Sequence, residues 1–169
     1  MPSVLFVCTA NRFRSPIAAA LFARKLQQER IAPDWSVGSA GTWAEPGLTV
    51  VPSPKWVSDH LGLDLGRHKA VRIVGGLLAW YDLILVMENS HHESLRVEFP
   101  KIKDKVFLLT QVCTGVAYDV PDPGVVKDDT FLDIANELSD LIDKGYREIC
   151  LLARQLETSN AAPNKQPHP

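Results

Sequence analysis

Cysteine is scarce in this chain of 169 residues, which contains only 3 cysteines: Cys8, Cys113 and Cys150. Such wide spacing gives neither a disulfide framework nor the paired spacing of a metal site. We therefore expect no metal and no cofactor. Free thiols persist best in a reducing compartment, so we expect a cytoplasmic protein.

Long hydrophobic runs and an excess of basic residues are also missing. The longest apolar stretch, 73–87, is interrupted by Asp82 and is too short to span a membrane. The first three residues lead directly into a predicted strand, so we expect no signal peptide. The net charge of -2 argues against a general nucleic-acid binder. We expect neither a membrane nor a nucleic acid as partner.

Short apolar runs alternate with helical patterns, which predicts a single-domain α/β fold, a four-stranded parallel sheet flanked by helices. We expect this domain to cover residues 1–157 and the polar end, 158–169, to be a disordered tail. Strands are predicted at 3–7, 35–40, 82–87 and 105–109, and helices at 16–30, 52–61, 88–97 and from residue 130 onward.

A thiol, a short loop and a helix start follow one another near the beginning of the chain. The apolar run Val4–Val7 predicts a buried strand that leads to Cys8. Five residues then separate Cys8 from Arg14. Ser15 is typical of a helix N-cap and Pro16 of a first helical turn. This order predicts a phosphate-binding loop after strand one.

The chemistry of these residue types suits attack on a phosphate. Cys8 can supply a nucleophilic thiolate, which a helix N-terminus and a neighbouring cation stabilise. The planar guanidinium of Arg14 matches two phosphate oxygens. Backbone amides of the loop would hold the remaining oxygens. The predicted phosphate-binding residues are Thr9, Ala10, Asn11, Arg12, Phe13, Arg14 and Ser15.

A second candidate region is the stretch 110–128, which lacks periodicity and contains several glycines and prolines. A loop of this length in a compact domain is often functional. It carries Asp119 and Asp122, and an aspartate before a proline is also common in ordinary turns. Because ligands gather at the carboxyl ends of parallel strands, this loop can meet Cys8 there.

At this point the chain resembles the low-molecular-weight protein tyrosine phosphatases. The resemblance covers about residues 3–157 and is carried by several ordered segments. These are the cysteine loop that ends in Arg-Ser-Pro, Ser39-Ala40-Gly41-Thr42, His68-Lys69-Ala70, the apolar run 82–87 and the pair Asp122-Pro123.

The resemblance implies metal-independent hydrolysis of a phosphomonoester, protein phosphotyrosine, through a cysteinyl-phosphate on Cys8. It implies that Arg14 binds the phosphate and that Asp122 is the general acid and base, with Asp119 as the second choice. The Ser15 hydroxyl would assist the thiolate.

Ser39 and His68 receive a role from the same resemblance, and the residues named after them are assigned from their own chemistry. Ser39 and His68 would buttress Asn11, which tolerates a left-handed backbone. Trp43 would form one wall of the substrate pocket, although a packed tryptophan is an equal alternative. We expect His91 and His92 to be surface residues of a helix, and Cys113 and Cys150 to be inert small hydrophobic residues.

The chain departs from the family pattern at four places. Ala10 stands where a glycine is usual, and Phe13 stands where many members carry a second cysteine. Arg12 is unusual in the loop. Gly124 and two valines follow Pro123, where many members place aromatic residues. These changes leave the phosphate chemistry in place and affect the preference for an aryl group.

Two other functions remain open from the sequence. An arsenate reductase would need additional redox cysteines, and Cys113 and Cys150 lack the close spacing of such a relay. A non-catalytic oxyanion-binding module would need the loop alone. The joint presence of Cys8, Arg14 and Asp122 favours the phosphatase over both.

Overall fold

Four parallel strands form one sheet in the order β2-β1-β3-β4. The structure is a computed structural model that describes residues 1–124 and 128–159, without the side chains at 128 and 129. The strands are β1 (Ser3–Cys8), β2 (Ser36–Gly41), β3 (Leu83–Val86) and β4 (Val106–Leu108). Each strand boundary lies within one residue of its prediction, and the parallel four-stranded sheet is confirmed.

Within the described residues, six α-helices surround the sheet, two more than the sequence predicts. They are α1 (Arg14–Gln28), α2 (Pro54–Leu61), α3 (Gly75–Trp80), α4 (Asn89–Glu98), α5 (Leu109–Thr114) and α6 (Asp128–Ser159), and two short 3-10 helices cover Ala32–Asp34 and Pro100–Lys105. Helices α3 and α5 have only six residues each, too few for a periodic pattern to be recognised.

The boundaries correct three expectations. Helix α5 occupies the first part of the segment 110–128, which we expected to be loop throughout. Helix α6 begins at Asp128, two residues before the predicted position 130. The same helix continues to Ser159, two residues into the expected tail, whose remaining residues, 160–169, lie outside the described part of the chain.

The alternation of side chains along β1 divides the core into two layers. Phe6 and Cys8 point to the layer formed with α1 and α6, while Leu5 and Val7 point to the layer that contains residues of α3 and α4. All six residues of β1 are buried, which suits a central strand of a parallel sheet. Cys8 therefore lies on the side of the sheet where α1 begins.

Strand register brings the ends of three strands to one edge. Cys8 of β1 pairs with Gly41 of β2, and Val7 pairs with Val86 of β3. The segments that follow these strands therefore leave the sheet side by side at its carboxyl edge, where ligands bind in open parallel sheets.

Along the described residues, no helix combines the length and apolar character needed to cross a membrane. The described side chains also include no group of three or more His, Cys, Asp or Glu that could hold a metal ion.

Gly145 lies where α6 passes close to α5. A Cβ atom at this position would lie 2.2 Å from the Cys113 Sγ and 2.7 Å from the Cys113 Cα. Helix propensity alone would favour another residue at this position, because glycine weakens a helix by about 1 kcal/mol relative to alanine. Close approach of the two helices explains the glycine.

We predict that Gly145→Ala destabilises the protein in spite of its better helix propensity. Overpacking of this kind typically lowers the free energy of unfolding by about 1–3 kcal/mol. Denaturant unfolding of the variant measures the loss, with Lys144→Ala as the control on an exposed neighbour. Equal or greater stability of Gly145→Ala would show that the helix pair tolerates a methyl group.

Candidate active site

The Cys8 thiol lies at the centre of the loop that joins β1 to α1. The residue is 2% exposed. Its Sγ accepts a hydrogen bond from the Asn11 backbone N–H at 3.3 Å, and the Ser15 Oγ lies 3.0 Å from the same sulfur. The loop thus curls around the sulfur and directs two hydrogen-bonding groups at it.

Asn11 fixes the curvature of this loop. It is fully buried and has a φ of 54°, in the left-handed region. Its Nδ2 donates to the Ser15 Oγ and the Ser39 Oγ, both at 2.9 Å. Its Oδ1 accepts from the Val71 N–H at 2.8 Å, and its backbone oxygen lies 2.8 Å from the His68 Nε2. Ser39 and His68 therefore both contact Asn11.

The end of β2 and the residues after it pack against the loop between β1 and α1. A Cβ atom on Gly41 would lie 2.5 Å from the Thr9 backbone oxygen and 2.9 Å from the Asn11 nitrogen, so the position admits only glycine without a shift of the loop. The Trp43 backbone N–H donates to the Thr9 oxygen at 2.9 Å. The loop is thus docked onto the chain that follows β2.

The start of α1 differs from the sequence-based expectation. The helix begins at Arg14 and places Phe13 at the N-cap, without a side-chain cap hydrogen bond. Ser15 is therefore not the N-cap: its hydroxyl contacts Cys8 and accepts from Asn11 within the loop. Ala10 keeps a negative φ, so a methyl group at this position meets no backbone strain.

The Arg14 side chain makes four hydrogen bonds at the site. It is 2% exposed. Nη1 donates to a carboxylate oxygen of Glu88 and, at 2.9 Å, to the Val120 backbone oxygen. Nη2 donates to the Asp122 Oδ2 at 2.7 Å and, more weakly, to the Thr9 Oγ1 at 3.4 Å. Such a network holds the guanidinium in one orientation.

The two candidate carboxylates occupy different places. Asp122 contacts Arg14 and is about half exposed, and its Oδ1 accepts the Gly124 N–H at 2.8 Å. Asp119 instead accepts the Asn89 N–H at 2.7 Å, at the first residue of α4. Asp122 therefore reaches the guanidinium beside the thiol, while Asp119 satisfies a free amide at a helix start.

Phe13 fills a packed position beneath the loop. It is 4% exposed and makes edge-to-face contacts with Trp56 and Phe131.

The two cysteines outside the loop, Cys113 and Cys150, are free. Burial raises the pKa of the Cys113 thiol to about 12 and also raises the pKa of Cys150. Their thiols are therefore protonated and poorly reactive at neutral pH.

The side chains of Arg12 and Trp43 lie at the loop and are not buried in the core. The Arg12 Nε donates to the Thr49 backbone oxygen at 2.8 Å. The Trp43 side chain is 79% exposed and lines a cavity of about 310 Å³ together with Thr9 and Glu88. The alternative that Trp43 is a packed core residue is therefore wrong, and its role as a pocket wall stays a prediction.

Sequence analysis missed Glu88 and misplaced His91. Glu88 pairs with Arg14, and His91 is 5% exposed with its Nε2 2.9 Å from the Thr9 Oγ1. We expected His91 to lie on the surface of its helix, which is wrong. Both side chains follow the end of β3, and that position at the carboxyl edge of the sheet is the signal that could have identified them.

Comparison with known proteins gives one family. The family model described as "Low molecular weight phosphotyrosine protein phosphatase" matches residues 3–161. A protein-arginine-phosphatase of Geobacillus stearothermophilus is 32% identical over 155 residues, which are 92% of this chain and 96% of that protein. The probable low molecular weight protein-tyrosine-phosphatase EpsP of Ralstonia nicotianae is 35% identical, covering 72% of this chain and 77% of that protein.

A solved structure is similar over nearly the whole chain. It is a cysteine-to-serine mutant of the YwlE arginine phosphatase in which the active-site serine is phosphorylated. It superposes with a TM-score of 0.77 at 30% identity and covers 92% of this chain and 95% of that one.

Proposed function

Because this chain belongs to the low molecular weight phosphotyrosine protein phosphatase family and is a cysteine-based phosphatase, we propose that its reaction centre is Cys8, Arg14 and Asp122. Cys8 is the nucleophile, Arg14 binds the phosphate and Asp122 is the general acid and base. The observation that carries this assignment is the contact of 2.7 Å between the Arg14 Nη2 and the Asp122 Oδ2, which joins a carboxyl group to the cysteine loop.

In the first step the Cys8 thiolate attacks phosphorus and the bond between phosphorus and the ester oxygen breaks. Protonated Asp122 gives its proton to the departing oxygen. The amides of residues 9–14 and the Arg14 guanidinium stabilise the charge on the other phosphate oxygens. The product of this step is a cysteinyl-phosphate.

In the second step water attacks the phosphorus of the cysteinyl-phosphate. The Asp122 carboxylate takes a proton from that water, the bond between sulfur and phosphorus breaks, and Cys8 leaves as a thiolate. The Ser15 hydroxyl, 3.0 Å from the sulfur, can donate a hydrogen bond to the thiolate. In this assignment Ser39 and His68 act only through Asn11, as supports of the loop.

Two alternatives from the sequence lose support. An arsenate reductase needs a relay of reactive thiols, and burial raises the pKa of both Cys113 and Cys150. A binding module without turnover needs no carboxyl group that can act as an acid beside the phosphate-binding arginine, and Asp122 contacts the Arg14 guanidinium.

We also propose a cytoplasmic location, since a nucleophilic thiol persists in a reducing compartment.

For the substrate we propose protein phosphotyrosine. The relatives include both arginine and tyrosine phosphatases, so the substrate must be argued from this chain's own residues. Arg12 places a second cation within the loop, which disfavours a guanidinium substrate by like-charge repulsion. The exposed indole of Trp43 offers an apolar face for an aryl ring.

We predict that isosteric replacement separates the roles of the two aspartates. Asp122→Asn keeps the size of the side chain and removes its proton, so the rate with phenyl phosphate should fall roughly 10²–10⁴-fold. The loss should be smaller with p-nitrophenyl phosphate, whose leaving group departs with little protonation. Steady-state kinetics with both esters measures the difference.

Asp119→Asn is the matched control and should leave both rates near the wild-type values. A leaving-group effect in Asp119→Asn, combined with normal rates in Asp122→Asn, would reverse the assignment.

We predict a preference for phosphotyrosine over phosphoarginine in peptides of the same sequence. The wild type should have the higher kcat/KM on the tyrosine peptide. Trp43→Ala should lower that value about 2–10-fold, since an aromatic pair is worth roughly 0.5–1.5 kcal/mol, while inhibition by inorganic phosphate stays unchanged. A higher kcat/KM on the phosphoarginine peptide would contradict the proposed substrate and leave the roles of Cys8, Arg14 and Asp122 intact.

A further inference from the structure

His91 is a buried ring that the proposed reaction does not use. It lies on α4 with 5% of its surface exposed. Its Nε2 is 2.9 Å from the Thr9 Oγ1. Its Nδ1 is the one buried side-chain nitrogen or oxygen without a hydrogen-bond partner among the described residues. Since an unpaired buried polar atom is unfavourable, the contact with Thr9 is the hydrogen bond that accounts for the ring's position.

The unpaired Nδ1 and the Thr9 hydroxyl together indicate the form of the ring. A buried N–H without an acceptor is unfavourable, so the proton of a neutral ring lies on Nε2 and its lone pair on Nδ1. The Nε2–H then donates to the Thr9 oxygen. That oxygen has two acceptor positions, so it also accepts from the Arg14 Nη2, 3.4 Å away.

The surroundings of the ring agree with the neutral form. Burial lowers the pKa of His91 below its ordinary value, and the charge of Arg14 acts in the same direction. Three carboxylates, Glu88, Asp119 and Asp122, oppose this shift.

We propose that His91 is a positioning residue whose Nε2–H donates to the Thr9 hydroxyl oxygen and thereby holds Thr9 against Arg14. The remaining contacts of Arg14 explain why this matters. In the proposed reaction Asp122 serves the leaving oxygen, so the Nη2 side of the guanidinium cannot depend on that carboxyl group. Thr9, held by His91, is the remaining partner on this side, while Glu88 and the Val120 oxygen hold Nη1.

This inference rests on the proposed function only for the role of Arg14 in phosphate binding. Its test therefore measures the binding of inorganic phosphate by calorimetry, which requires no turnover. Failure of Cys8 as nucleophile or of Asp122 as acid would leave the binding result unaffected, so the two failures can be told apart.

A double-mutant cycle tests the chain of contacts. Thr9→Val removes the hydroxyl at nearly constant shape, and His91→Leu removes the donor. Each change should weaken phosphate binding about tenfold, the value of one hydrogen bond to a charged group. The double variant should bind no more weakly than the weaker single variant, because both changes break the same chain.

His91→Gln keeps a donor on a side chain of similar reach and should recover most of the lost affinity. His92→Ala is the matched control, because His92 is the next residue of α4 and contacts Arg96 instead of the loop. Additive losses in the double variant, or an effect of His92→Ala as large as that of His91→Leu, would overturn the proposal.

A spectroscopic readout of the wild type covers the case in which His91→Leu does not fold. The nitrogen-15 shifts of the His91 ring should show a neutral imidazole protonated on Nε2, and Thr9→Val should change that pattern. A ring protonated on Nδ1 in the wild type would mean that His91 accepts from Thr9, which contradicts the proposal.

Discussion

The left-handed backbone at Asn11 is the constraint on which the rest of the site depends. This single residue turns the loop so that its own N–H points at the Cys8 sulfur. Its side chain is held in place because it donates to the Ser15 and Ser39 hydroxyls and accepts from the Val71 N–H. A strained or unusual backbone persists when its surroundings determine it several times over, as they do here. Without this turn, the loop could not close around one anion.

Arg14 links the loop to the rest of the carboxyl edge. Its guanidinium is almost fully removed from solvent, yet each terminal nitrogen has an oxygen partner. Burying a cation is tolerable only with such pairing. The partners come from the segments after β3 and α5, so the ion pairs also fix where Glu88 and Asp122 lie relative to the thiol. In the proposed reaction, Nη1 keeps its partners while Asp122 turns to the leaving group.

Much of this arrangement can be predicted from the sequence, because the responsible signals are local. An apolar strand that ends in Cys8, and the helix-start pair Ser15-Pro16 after a short loop, specify the loop without any tertiary information. The four strands are equally plain, since buried parallel strands are continuous apolar runs. The resemblance to the family also favours Asp122 over Asp119 through the proline that follows it, and in the structure Asp122 contacts Arg14.

The remaining features depend on contacts between distant segments. Ser15 is a residue type that is typical of a helix N-cap. Only in the folded loop does its hydroxyl point towards the Cys8 sulfur. His91 lies in a polar stretch that predicts an exposed helix, and the approach of Thr9 buries it. Gly145 lowers helix propensity, and the reason for it is a neighbour 32 residues earlier in the chain, Cys113 (145 minus 113). None of these contacts leaves a local pattern.

The central claim is that phosphate passes through a covalent bond to Cys8. The most direct measurement mixes the enzyme with a phosphotyrosine peptide, quenches the reaction in acid within milliseconds and maps the phosphorylated residue by mass spectrometry. The account predicts a phosphate on the Cys8 sulfur in the wild type and neither label nor turnover in Cys8→Ala. Turnover by Cys8→Ala at a rate close to that of the wild type, or label on another residue only, would contradict it.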